Sequence, residues 1–79
     1  MMKILFFGPV AERVGLRELQ LEHRSGMVLQ DVVTQLKAVY PAAFEIVCFT
    51  AVNETQTRDM QQLLNDGDEI VFMAKFSGG

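Results

Sequence analysis

The residues with chemical reach in this sequence are few: a Gly78-Gly79 ending preceded by Phe76 and Ser77, one histidine, one cysteine, and the acidic run Asp66-Gly67-Asp68-Glu69. Two terminal glycines offer access. Without Cβ atoms the backbone threads a narrow channel and takes dihedrals barred to other residues, so Gly78, preceded by the small Ser77, can carry the Gly79 carboxylate into another protein's active site. A carboxylate is a poor electrophile. Converted to an acyl adenylate it gains a good leaving group, which a sulfur nucleophile displaces to give a thiocarboxylate. That chemistry asks for no general base from this chain. A Gly-Gly ending arises by chance in roughly one chain in two hundred, so the letters alone favour a frayed terminus. The weight for a working tail comes from its context: a compact domain, a strand running straight into it, and no residue after the glycines.

The other candidates have plainer readings. His23 lies in the polar stretch Glu22-His23-Arg24-Ser25 and is expected in a solvated loop without function. Cys48 falls inside a strand-like segment, where an unpaired cysteine is commonly a small buried hydrophobe, and no histidine is near in sequence to activate it. Asp66, Asp68 and Glu69 could suggest a cation site, but Asp-Gly-Asp between a leucine pair and a strand is more often a turn, and no metal is expected. Met60 and Met73 read as hydrophobic filler or interface, with Met73 favoured as interface because adaptable methionines suit binding surfaces.

These residues need elements to position them. Residues 4–7 form a short apolar run ended by Gly8-Pro9, and residues 19–22 alternate apolar and polar, so both read as strands. Between them, residues 11–15 can make one helical turn closed by glycine. Leu29, Val32, Val33, Leu36, Val39 and Tyr40 follow the spacing that lines one helix face, and Pro41 limits that helix. Its start is less well marked, with Ser25 as a possible cap. Residues 47–52 read as a third strand, Asn53-Glu54 as a turn into a short polar segment over residues 55–58, and residues 69–74 as the last strand. The expected order is ββαββ.

One helix covers one face of a sheet, so a two-layer α+β roll is the economical arrangement at this size. The period-two pattern separates Ile4 and Phe6 from Leu5 and Phe7, and Ile70, Phe72 and Ala74 from Val71 and Met73. Whichever set faces the helix, the other is apolar and exposed, as a partner site would be.

Seventy-nine residues, 49% of them hydrophobic and 22% charged, bound a single globular domain. Residues 1–75 are expected to form it and residues 76–79 to be a flexible tail. A net charge of −3 without a basic cluster disfavours nucleic acid as partner. The apolar run near the start is too short for a signal peptide, no membrane association is expected, and the single cysteine agrees with a cytoplasmic setting.

The start Lys3-Ile4-Leu5-Phe6-Phe7-Gly8, the segment Ala51-Val52-Asn53, the turn Asp66-Gly67-Asp68-Glu69 and the Gly78-Gly79 end, in that order and spacing, resemble the small, sulfur-carrier subunit of molybdopterin synthase along the whole chain. The resemblance implies a β-grasp, ubiquitin-like fold with a mixed sheet packed on one main helix. It also implies that Gly79 is adenylated at the expense of ATP by an activating (E1-like) enzyme and converted to a thiocarboxylate. The tail would then insert into the large catalytic subunit and donate sulfur to a cyclic pyranopterin in molybdenum cofactor biosynthesis, with no permanently bound cofactor in this chain. By the same resemblance, Phe7 and Met73 fall where the hydrophobic contact with the partners forms, in an assembly usually of two large and two small subunits. Leu5, Val71 and Phe76 are expected to add to that contact. The family often carries a proline pair and a small aliphatic before its last three residues, where this chain has Ala74-Lys75-Phe76. Sulfur carriers of thiamine thiazole synthesis share the fold and the ending, and a ubiquitin-like protein modifier or a plain interaction module are the remaining alternatives.

Overall fold

Alternation decides the first strand. In β1 (Met2–Phe6) the side chains of Met2, Ile4 and Phe6 are buried, Leu5 is half-buried and Lys3 is exposed. The computed structural model describes residues 1–75, so the expected tail, with Phe76, Ser77, Gly78 and Gly79, lies outside the described residues. After Phe7 the chain turns on Gly8, whose φ of +54° is a conformation that L side chains rarely adopt. It enters α1 (Gly8–Val14), which Gly15 closes in the left-handed conformation with its N–H donating to the Ala11 carbonyl. The expected single turn is thus a two-turn helix, because Pro9 pre-sets its first turn and Val10 and Val14 both reach the core.

β2 (Glu18–Leu21) pairs antiparallel with β1. The main helix, α2 (Leu29–Val39), buries Leu29, Val32 and Leu36. Ser25 is not its cap: Val28 holds that position, and its N–H donates to the Asp31 carboxylate at 2.8 Å, a reciprocal contact from the first turn. Val39, expected on the apolar face, is 63% exposed. Tyr40, one residue on, makes the closing contact instead, meeting the Phe6 ring edge-on at 6.4 Å between centroids. Pro41 then opens a single further turn, α3 (Pro41–Phe44).

β3 (Val47–Val52) turns through Asn53 and Glu54, both at positive φ, into β4 (Thr55–Thr57), and β5 (Glu69–Ala74) completes the sheet. The polar segment after Asn53-Glu54 is therefore a strand, which corrects the expected ββαββ order to five strands and three helices among the described residues. The sheet order is β2-β1-β5-β3-β4, with β1 and β5 parallel at its centre and the other pairs antiparallel. A mixed sheet gripping one main helix is the β-grasp, ubiquitin-like roll.

The core lies between sheet and helix. Phe72 of β5 stacks on Phe6 at 6.1 Å and takes the edge of Phe44 at 5.1 Å, so strands and α3 meet in one aromatic cluster. Fully burying side chains of this size stabilises by about 1.5–3 kcal/mol each. Among the described residues no helix is long and apolar enough to cross a membrane.

Candidate functional site: the outer sheet face and the root of the tail

Pairing in the sheet sets which residues share its outer face. Leu5 of β1 stands beside Val71 of β5, and Val71 beside Ala51 of β3. This row is apolar in the middle and polar at both edges, where Glu18 of β2 lies opposite Leu5 and Gln56 of β4 opposite Ala51. The next row toward the end of β5 pairs Met73 with Phe49. The row in the other direction is polar, with Gln20, Lys3 and Glu69 side by side. Along β5 the outer face therefore passes from Glu69 to Val71 to Met73, and apolar surface gathers at the end where Lys75 leads into residues 76–79.

Phe7 extends this patch. It caps α1 in an extended conformation, so it keeps the alternation of β1, and its N–H donates to the Phe72 carbonyl at 3.3 Å beside Met73. Its side chain is 48% exposed, whereas Leu5, Val71, Met73, Phe49 and Ala51 are half-buried by one another. The structure thus brings together four of the expected contact residues, Leu5, Phe7, Val71 and Met73, on one surface. Phe76 lies outside the described residues. Phe49 and Ala51 were not anticipated, although Phe49 was legible in principle: applying to β3 the alternation used for β1 and β5 places it opposite Thr50.

At the other end of the sheet the same strands are held by polar contacts. Asp68 is buried, and its carboxylate accepts from the Asn53 amide and the Asn65 N–H, both at 2.8 Å. Asn53 accepts in turn from the Glu69 N–H at 2.9 Å. The Asp66 carboxylate takes the Met1 ammonium at 2.5 Å, and this positive charge holds its pKa below the usual carboxylate range. The acidic run is accordingly a turn in which the Asp66 and Asp68 side chains and the Glu69 N–H are engaged.

Two other expectations need correction. His23 is half-buried and its Nε2 lies 2.9 Å from the Leu64 carbonyl, so it clamps the strand end to the loop before β5 and is not simply solvated. Cys48 is exposed, not a buried hydrophobe. The register of β3 on β5 slips between Val47 and Phe49, and Cys48 is the additional residue of the bulge, which lifts it out of the packed alternation.

Comparison with known proteins agrees with this arrangement. A profile described as the ThiS family matches residues 4–79. The chain is 31% identical over 80 aligned positions, 98% of its own length and 96% of the relative's, to the molybdopterin synthase sulfur carrier subunit of Chlamydomonas reinhardtii. Among solved structures, small archaeal modifier protein 1 from Methanosarcina acetivorans is 29% identical, with a TM-score of 0.81 over 99% of this chain and 95% of that one. The complex of subunits 1 and 2 of molybdopterin-converting factor from Helicobacter pylori contains a chain 23% identical, with a TM-score of 0.74 over 99% of this chain and 97% of that one, which is a likeness of fold. On the profile match and the full-length identity, the chain belongs to the ThiS family, together with the molybdopterin synthase sulfur carrier subunit.

Proposed function

We propose that this protein is a sulfur carrier of molybdenum cofactor biosynthesis, the small subunit of a molybdopterin synthase. The observation that carries the reading is the identity to a molybdopterin synthase sulfur carrier subunit across nearly all of both chains. The geometry supports it through the apolar half of the outer face, which adjoins the root of the tail: a partner that covers Phe7, Val71 and Met73 receives residues 76–79 at the same time.

In this reading the domain is a handle and the reaction happens elsewhere. An E1-like enzyme transfers adenylate from ATP to the Gly79 carboxylate and releases pyrophosphate. A sulfur nucleophile displaces AMP to leave a thiocarboxylate, and the large subunit, with the tail in its active site, passes that sulfur to a cyclic pyranopterin. Gly78 and Ser77 thread the channel, and Phe76 joins Leu5, Phe7, Val71 and Met73 at its mouth. The chain needs no cofactor of its own for this and catalyses nothing alone, and it would work in the cytoplasm.

Mass spectrometry of protein purified from cells that contain the activating enzyme tests the chemistry. The expected result is a fraction in which one oxygen is replaced by sulfur at the C-terminal residue, absent when Gly79 is deleted. A shift that maps elsewhere, or none in the presence of the activating enzyme, overturns the carrier reading. The likeness to an archaeal modifier protein supports a second reading, conjugation to other proteins through the same glycine. Isopeptide-linked adducts on lysines of other proteins would favour it. A sulfur carrier of thiamine thiazole synthesis gives the same mass shift, and co-purification of the large synthase subunit distinguishes the two.

A further inference from the structure

The two ends of β3 are treated differently by the chain. Both ends of β3 pair with β5, around the bulge at Cys48, but on its other edge β4 covers only Thr50, Ala51 and Val52. After Thr57 the backbone leaves β3 and crosses to the start of α2, where the N–H groups of Leu29 and Gln30 donate to the Gln62 and Met60 carbonyls at 3.0 and 2.8 Å. The edge of β3 over residues 47–49 is therefore open among the described residues. An unpaired strand edge offers N–H and C=O groups to another chain.

A cleft of about 270 Å³ lies beside this gap, between α2 and the β3–β4 edge. Val33, Phe44, Met60 and Phe72 give it an apolar floor, and Lys37 and Arg58 stand at its rim. No acidic residue lines it, although the chain as a whole carries a net charge of −3. Neither cation forms a salt bridge among the described residues. Thr50 also lines the cleft. It is only 8% exposed.

We propose that this cleft docks an extended peptide segment of a partner protein, apolar at its centre and acidic at its flanks, which continues β4 along the open edge of β3. The cations select the acidic flanks, the floor takes the apolar side chains, and backbone pairing with residues 47–49 supplies the orientation. A small anion would satisfy Lys37 and Arg58 but leave the strand edge and the apolar floor unused. The bulge at Cys48 keeps the addition short, since bulges twist an edge and interrupt its pairing. None of the outer-face residues Leu5, Phe7, Val71 and Met73 lines the cleft, so a protein bound there leaves that face open for a second partner.

Titration of nitrogen-15-labelled protein with the peptide acetyl-Glu-Val-Phe-Val-Glu-amide tests this by NMR. The expected result is saturable shifts concentrated at residues 47–50 and 57–60, with slowed solvent exchange of an amide within residues 47–49. A Lys37→Ala/Arg58→Ala double variant should bind at least about tenfold more weakly, the loss of roughly one charge-assisted contact. Both side chains are exposed, so the fold is kept. The peptide with lysine in place of each glutamate should not bind. The proposal is overturned by shifts centred on Leu5, Val71 and Met73, by the absence of saturable shifts, or by unchanged affinity in the double variant. It is equally overturned if free glutamate reproduces the shifts, which would make this a small-anion site, or if they arise from protein concentration alone, which would make it a contact between copies.

Discussion

The two faces of the central strands are built from the same kinds of residue and do different things. On the helix side, Ile4, Phe6, Ile70 and Phe72 are at most 1% exposed, and their burial stabilises the fold. On the outer side, Leu5, Val71, Met73 and Phe49 are half-buried by one another and Phe7 stands 48% exposed. Their remaining apolar surface is still in contact with water, and removing it is free energy available to association. A hydrophobic strand residue thus cannot be assigned to stability or to binding by its type; the face decides.

Substitutions that respect this division should separate the two quantities. The largest effect is expected for Phe72→Ala, which removes the ring at the centre of the aromatic cluster and should cost about 3–5 kcal/mol in urea unfolding, enough to threaten folding of a small domain. Next, under the proposed function, Phe7→Asp and Met73→Asp should each weaken association with the proposed large-subunit partner by about 2–4 kcal/mol in calorimetry. Their unfolding free energy should change by less than about 1 kcal/mol. Global unfolding on Phe7→Asp would place that ring in the core and erase the contrast between faces.

The division also depends on register, because a slip of one residue exchanges the faces of a strand. Asn53 guards it by bonding to Asp68 and Glu69 across the β3–β5 pair. Asn53→Ala leaves buried Asp68 short of a donor and should cost about 1–3 kcal/mol, read by chemical denaturation. The smallest effect is expected at the exposed Asp66. Its pKa is lowered in the folded state by the Met1 ammonium, so the stabilisation is present above the ordinary carboxylate pKa and is lost as pH falls through the lowered value. The melting temperatures of the protein and of Asp66→Asn should therefore differ slightly at neutral pH and converge in acid.

Much of this was legible in the residues. The helix spacing marked α2, and apolar runs bounded by turn residues marked β1, β3 and β5; alternation split Leu5 from Ile4 and Val71 from Phe72 but left open which set faces the helix. What was hidden depended on contacts distant in sequence. Thr55-Gln56-Thr57 has no apolar pattern and is a strand because the Asn53-Glu54 turn folds it onto Thr50 to Val52. Met2 lies ahead of the apolar run that marks β1, yet it is fully buried. The role of His23 requires Leu64, which is 41 residues away, and the exposure of Cys48 follows from a bulge that no repeat announces.

The parallel pairing of β1 with β5 has a mechanical consequence. β5 carries the tail and is flanked on one side by β1 and on the other by β3, so a pull along Lys75 acts in line with both ladders. Load in that direction is shared by the hydrogen bonds of both pairs in shear and does not peel them one at a time from an edge. A partner that draws the tail into a channel while pressing on the outer face would load the domain in the direction in which these two ladders act together.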